Sequence, residues 1–313
     1  MAINKAMRIA LKALSYPDLD VKKNYKLHRQ VNTAVNAYLK PRYSIWDHKI
    51  QGLDHDIPVR IFLPPDGSES IPNRVLIFFH GGGWVIGNID SYSNVCANMA
   101  RQTGALVVSV DYRLAPEHRF PCALLDCYAV TREIFLDSTL FDVEIDNITL
   151  IGDSAGGNLA AAVSLMARDK GEFRVSKQIL IYPSTHNDHS DETGFPSVRE
   201  FGHEYLLTSK RIRDYMDMYI SSEEDLNNPY LAPLIAEDLS NQPDTLIITA
   251  EYDPLRDEGE AYAKKLSDHG NNVELYRMRN ALHGFFGLPK HFVHVKRSYE
   301  IINRFLLKDN KVN

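Results

Sequence analysis

Five short stretches, Arg74–Phe79, Ala105–Val110, Ile148–Ile151, Gln178–Tyr182 and Thr245–Thr249, are nearly unbroken in valine, isoleucine, leucine and phenylalanine. A strand with one wet face alternates apolar and polar residues, so runs without alternation belong to strands covered on both faces. Helical patterns separate these runs. Asn158–Ala167 is rich in strong helix formers and stops at Gly171, while Asp257–Asp268 is amphipathic and stops at Gly270. Strands alternating with helices of this length predict an α/β fold, a doubly wound and mostly parallel sheet with helices on both faces. Asn272–Met278 supplies one more strand candidate. Ahead of the runs, Tyr43–Gln51 and Pro58–Leu63 do alternate, and Asp54-His55-Asp56 between them predicts an antiparallel hairpin.

Two segments break the rhythm. Residues 1–42 look helical and precede the first strand. Residues 184–225 lie between two strands, are far too long for an ordinary loop, and hold an amphipathic stretch from Thr208 to Tyr219. The catalytic core is thus expected in residues 43–183 and 226–313.

Charge narrows the function classes. The 313 residues include 35 Lys and Arg against 41 Asp and Glu, a net charge of −6. Such a chain has no electrostatic reason to seek nucleic acid or an anionic membrane surface. Nowhere does an apolar run approach the roughly 18 residues of a membrane span. Charges interrupt every early apolar stretch, so no secretory signal is read there. Cys96, Cys122 and Cys127 lack CxxC spacing, which points to unpaired thiols in a reducing compartment and a cytoplasmic protein.

The chemistry is concentrated in four places. Ile148–Ile151 runs into Gly152-Asp153-Ser154-Ala155-Gly156-Gly157 and then into a helix. Strand, G-x-S-x-G and helix in this order project a serine hydroxyl from a sharp turn, with glycine where the two elements crowd. The alternative, an ordinary helix-capping serine, does not explain the context. His80-Gly81-Gly82-Gly83-Trp84 follows the strand ending at Phe79, and its bare backbone can aim amide hydrogens at a developing oxyanion. No Lys-Ser or Lys-Thr follows, which excludes a Walker phosphate loop. A serine nucleophile needs a base and an acid that orients it, in the chain order Ser, Asp or Glu, His. Asp253 ends the strand Thr245–Thr249 and its extension, with Glu251 and Asp257 as rivals; Asp257 reads better as a first-turn residue of the next helix. Of twelve histidines, His283 alone joins the right order to a loop after the terminal strand.

With these residues in place, the sequence resembles the hormone-sensitive-lipase family of α/β-hydrolases, bacterial carboxylesterases among them. The likeness runs through His80–Trp84, Asp111–Pro121, Gly152–Asn158, Asp253–Gly259 and His283-Gly284-Phe285, in family order. It implies an α/β-hydrolase fold with an eight-stranded sheet and a small helical cap built from residues 1–42 and 184–225. It implies Ser154 as nucleophile, His283 as general base and acid, and Asp253 as its orienter. The oxyanion hole would use the backbone amides of Gly82, Gly83 and Ala155. Arg113 and Glu117 fall in a stretch that is scaffold in the family.

Trp84, Leu206 and Phe285 are expected to line the substrate pocket, with one of Phe285 and Phe286 facing the core. His186, Asp188, His189 and Asp191 read as a polar loop rather than a metal site, and the basic face of Lys5, Arg8 and Lys12 as the wet side of a helix. The expected function is a carboxylesterase for esters with short or medium acyl chains, needing neither cofactor nor metal, whose partner is a small-molecule ester. A deacetylase or amidase acting on a small metabolite is the alternative, and a ligand-binding protein on the same scaffold a further one. A homodimer is left open.

Overall fold

The apolar runs form the centre of a single sheet. The computed structural model describes residues 21–36, 45–65, 74–137 and 141–308. The expectations for residues 1–20 and 37–44, including Lys5, Arg8 and Lys12, lie outside the described residues.

In chain order the elements are α1 (Val21–Asn36), β1 (Ile45–Gln51), β2 (Asp56–Phe62), β3 (Val75–Phe79), α2 (Ser93–Thr103), β4 (Leu106–Val110), α3 (Cys122–Leu136), β5 (Ile148–Asp153), α4 (Ala155–Lys170), β6 (Lys177–Ile181), α5 (Pro196–Phe201), α6 (Ser209–Tyr219), β7 (Asp244–Tyr252), α7 (Arg256–Asp268), β8 (Val273–Leu282) and α8 (Val293–Leu306). Short 3₁₀ turns punctuate the connections. The sheet has eight strands in the order β1-β2-β4-β3-β5-β6-β7-β8. The β1–β2 and β2–β4 pairs are antiparallel and all later pairs parallel. The hairpin turns at Gly52–His55, where the Gly52 N–H donates to the His55 carbonyl at 2.9 Å.

The sequence pattern explains the layers. Every residue of β3 is fully buried, and its side chains alternate between two cores. Val75, Ile77 and Phe79 face α3 and α4 through Leu124, Cys127, Leu159 and Val163. Leu76 and Phe78 face α2 and α8 through Met99, Ile301, Ile302 and Phe305. Burying each such side chain contributes about 1.5–3 kcal/mol, which fixes the strand in the middle of the stack. α4 stops where expected: Gly171 takes φ 66° and closes the helix on Ala167.

The segment between β6 and β7 is longer than the sequence suggested, running from residue 182 to residue 243. It holds α5, α6 and two 3₁₀ turns, and its last part returns along the core, with Leu231 and Ala232 buried. Thr208 starts α6 by accepting the Arg211 N–H at 3.1 Å. α1 packs beside α6, where Lys22 pairs with Asp217 at 2.5 Å and Asp214 at 3.7 Å. Among the described residues, no helix is long and apolar enough to cross a membrane.

Arg113 and Glu117 make fixed contacts away from the chemistry. Arg113 grips the buried Asp126 with Nε and Nη2, at 3.0 and 2.8 Å, while Asp126 also accepts the Arg113 backbone N–H at 2.9 Å. Glu117 receives Arg29 of α1 at 2.9 Å. Replacing Asp126 by alanine (Asp126→Ala) leaves the guanidinium with Asp54 alone, at 3.0 Å, and should cost about 1.5–3 kcal/mol of stability, as losing hydrogen bonds to a charged group does. Urea denaturation checks this. Specific activity per folded molecule should stay near wild type, and a proportionate loss of kcat would give Arg113 a part in the chemistry.

Candidate active site

A tight strand-to-helix turn carries Ser154. β5 ends at Asp153, α4 starts at Ala155, and Ser154 between them sits at φ 55°, ψ −119°. A non-glycine residue held there stores on the order of 1–3 kcal/mol of strain. The Ser154 N–H donates to Ile181 of β6 at 2.9 Å, which helps to hold the turn. Glycine is required on both sides: a Cβ on Gly156 would lie 1.9 Å from the Phe79 carbonyl oxygen, and one on Gly152 2.2 Å from that of Gly156. The strand and helix cross at a distance no side chain permits.

β5, β7 and β8 run parallel, so their carboxyl ends meet at one edge of the sheet. Asp253 follows β7 and His283 follows β8. His283 Nε2 lies 2.9 Å from Ser154 Oγ, and its Nδ1 lies 2.7 Å from Asp253 Oδ2. Asp253 is fully buried, and its Oδ1 accepts the Leu255 N–H at 2.9 Å. With the carboxylate as acceptor, the ring proton belongs on Nδ1, which leaves Nε2 to accept the serine O–H. The rivals are occupied elsewhere. Glu251 accepts the Asn280 N–H at 2.6 Å, and Asp257 accepts that of Ser197 at 2.8 Å, in the first turn of α7.

Facing the serine is the loop after β3. Gly82 and Gly83 adopt φ 118° and 61°, a path open to glycine. The N–H groups of Gly82, Gly83 and Ala155 find no acceptor among the described residues, and all three residues line the cleft above Ser154. Asp153 holds this loop from below by accepting the Gly81 N–H at 2.8 Å on Oδ1, while Tyr92 and Tyr182 donate to Oδ2 at 3.2 and 3.4 Å. Burial pushes the Asp153 carboxyl up to about 6, against the lowering pull of the Gly81 amide. His80 is pressed down to about 4 by burial and is neutral at pH 7; it stacks on Tyr112, whose hydroxyl donates to the His80 carbonyl at 2.6 Å. Asp153, Tyr92 and Tyr182 went unread in the sequence. Asp153 stood inside the serine motif, but nothing local marked the two tyrosines.

The cleft measures about 240 Å³. Leu206 is among its lining residues, joined by Leu207, Arg211, Ile212 and Tyr215 of the inserted segment. Trp84 also contributes to the wall, yet its indole is 2% exposed and stacks face to face on Tyr219, so it supports the loop. Phe285 corrects the expectation. Gly284 at φ 82° turns the chain away, and Phe285 packs against Tyr182 and His294 in the core beside Phe286, leaving Gly284 at the cleft. Around residue 186 the polar side chains serve structure. His189 Nε2 lies 2.7 Å from the buried Glu258, which also accepts the N–H groups of Thr185 and His186, and Asp188 accepts that of Ser190. No group of three metal-ligating side chains occurs among the described residues.

A family profile described as the alpha/beta hydrolase fold matches residues 76–287. The chain belongs to this family, in its hormone-sensitive-lipase branch. It is 38% identical to an arylesterase of Saccharolobus solfataricus over 264 residues, 84% of this chain and 82% of that one. An ethyl acetate hydrolase of Pseudomonas putida is 34% identical, covering 74% of this chain and 72% of its own. Among solved structures, an esterase from the archaeon Pyrobaculum calidifontis superposes with a TM-score of 0.85 at 36% identity, over 98% of both chains.

The buried Asp153 gives a pH test. Its folded-state value lies above the unfolded one, so the folded protein binds the extra proton between about pH 4 and 6, and this group's contribution to stability falls as pH rises through that window. Asp153→Asn removes the titration. Its unfolding free energy relative to wild type should improve by about 2–3 kcal/mol between pH 4 and pH 8. Urea denaturation at both pH values reads this, and a difference that does not change with pH would place Asp153 in an unperturbed environment.

Proposed function

We propose that the chain is a carboxylesterase hydrolysing esters with short or medium acyl chains through Ser154, His283 and Asp253. The observation that carries the reading is the continuous path from Ser154 Oγ through His283 to Asp253, at 2.9 and 2.7 Å, opposite three unengaged backbone N–H groups. The kinship with carboxylic ester hydrolases supports it.

The steps follow from the geometry. Ser154 Oγ attacks the ester carbonyl carbon as its proton passes to His283 Nε2. Negative charge collects on the carbonyl oxygen, where the amides of Gly82, Gly83 and Ala155 stabilise it. Asp253 holds the ring orientation and favours the imidazolium. The tetrahedral centre collapses, the carbon–oxygen bond to the alcohol breaks, and His283 gives its proton to the departing oxygen. Water then attacks the acyl-enzyme by the same route, returning the proton to Ser154 and releasing the acid. Ester and water supply every atom, so the cycle needs no cofactor.

α1 and the segment from residue 184 to residue 225 are read as the cap over the cleft. The volume of about 240 Å³ falls below the ~300–1,000 Å³ of common small-molecule sites, which suits a small acyl group. The unpaired Cys96, Cys122 and Cys127 suit a reducing, cytoplasmic setting.

Ser154→Ala should retain the fold and lose on the order of 10⁴–10⁶ in kcat, measured with p-nitrophenyl butyrate. More than about a tenth of wild-type activity would exclude Ser154 as nucleophile. Across p-nitrophenyl esters the maximum should fall at about two to six acyl carbons, for a pocket of this size. A maximum at long chains, with a jump above the solubility limit, would identify a lipase acting at an interface.

A further inference from the structure

One wall of the cleft carries a charge that hydrolysis of a plain ester does not use. Tyr215 of α6 lies directly over the oxyanion loop, since a Cβ on Gly83 would meet its ring at 2.4 Å. Arg211 stands four residues earlier on the same helix and also lines the cleft. Side chains at that spacing share one helix face, with Cβ atoms about 6 Å apart. Arg211 and Tyr215 are therefore one helical turn apart on a helix that lines the cleft.

Arg211 has no acid partner among the described residues. Its Nη1 donates to the Leu206 carbonyl at 3.0 Å, and its Nε is buried with no acceptor. Other cations nearby are engaged: Lys210 pairs with Asp214, Arg256 with Asp257, and Arg213 donates to the His189 carbonyl. The carboxylates of the site are committed too, Asp153 to the Gly81 amide and two tyrosines, Asp253 to His283 and Leu255. His28 on α1 feels the charge; burial first, and then Arg211, holds it below the ordinary histidine value. A cation partly withdrawn from water without a counterion is costly, and a leucine there would serve an alkyl ester better. The planar fork of an arginine matches a carboxylate with two parallel hydrogen bonds.

We infer that Arg211 is a specificity-determining residue and that the enzyme takes esters bearing a carboxylate a few bonds from the scissile carbonyl, such as half-esters of short dicarboxylic acids. The inference rests on the esterase reading above and names the substrate class of that same site.

The test compares kcat/KM for charged and neutral partners of matched shape. Mono-p-nitrophenyl glutarate against p-nitrophenyl valerate places the charge on the acyl side; 4-acetoxybenzoate against its methyl ester places it on the alcohol side. In one of these arms the charged-to-neutral ratio should fall about tenfold or more in Arg211→Gln, chiefly through KM, and recover in part in Arg211→Lys, as expected for a charge-assisted pair losing its partner. A second measurement needs no variant: free glutarate should inhibit wild-type hydrolysis of the neutral ester competitively and more strongly than glutaramide, less so in high salt. Ratios unmoved by the substitution in both arms, or glutarate no better than glutaramide, would overturn the assignment while neutral esters are still hydrolysed. Failure of the wild type to hydrolyse any of the four esters would overturn the esterase reading instead.

Discussion

The site is organised by one close crossing. The Gly156 backbone lies so near the Phe79 carbonyl oxygen that a methyl group would sit 1.9 Å from it. That contact sets where α4 leaves the sheet, and so where the Ser154 hydroxyl stands and where the Ala155 amide points. β3 and β5 are neighbours in register, Phe79 opposite Gly152, so the same contact fixes the serine against the loop that follows β3. The strained Ser154 backbone is tolerated because the fully buried β5 before it and the buried first turns of α4 after it over-determine its ends.

From that crossing the polar network spreads outward. Asp153, beside the nucleophile, bonds the first amide of the Gly82–Gly83 loop and gathers the hydroxyls of Tyr92 and Tyr182. Tyr182 in turn lies against the His283 ring and accepts the Phe286 N–H. A buried carboxyl under a nucleophile is an expense in stability, visible in its raised titration. In return, both the loop and the histidine are referred to one rigid point. Preorganised donors of this kind act strongly where water is excluded.

The inserted segment contributes selection. α6 is held by the Thr208 cap, by Lys22 of α1 and by the stack of Tyr219 on Trp84. These attachments lie on its flanks and leave the Leu206–Tyr215 face to the cleft. The elements that hold the chemistry and those that shape the pocket are thus separate stretches of chain, packed together by different contacts.

Much of this was legible in the residues alone. Unalternated apolar runs required strands buried on both faces, and chain order singled out Ser154, Asp253 and His283 because the fold brings the ends of parallel strands to one edge. The glycines at 82, 83, 152 and 156 carried meaning for the same reason: absence of a side chain is itself a local property. Tertiary structure decided whatever depends on a direction in space. A one-residue turn at Gly284 sent Phe285 into the core, and stacking on Tyr219 buried the Trp84 ring. Tyr92 and Tyr182, distant in sequence, became partners of Asp153, and Arg211 reached the cleft without an acid beside it. Periodicity reports which face of an element is apolar; what each side chain meets depends on packing between elements far apart along the chain.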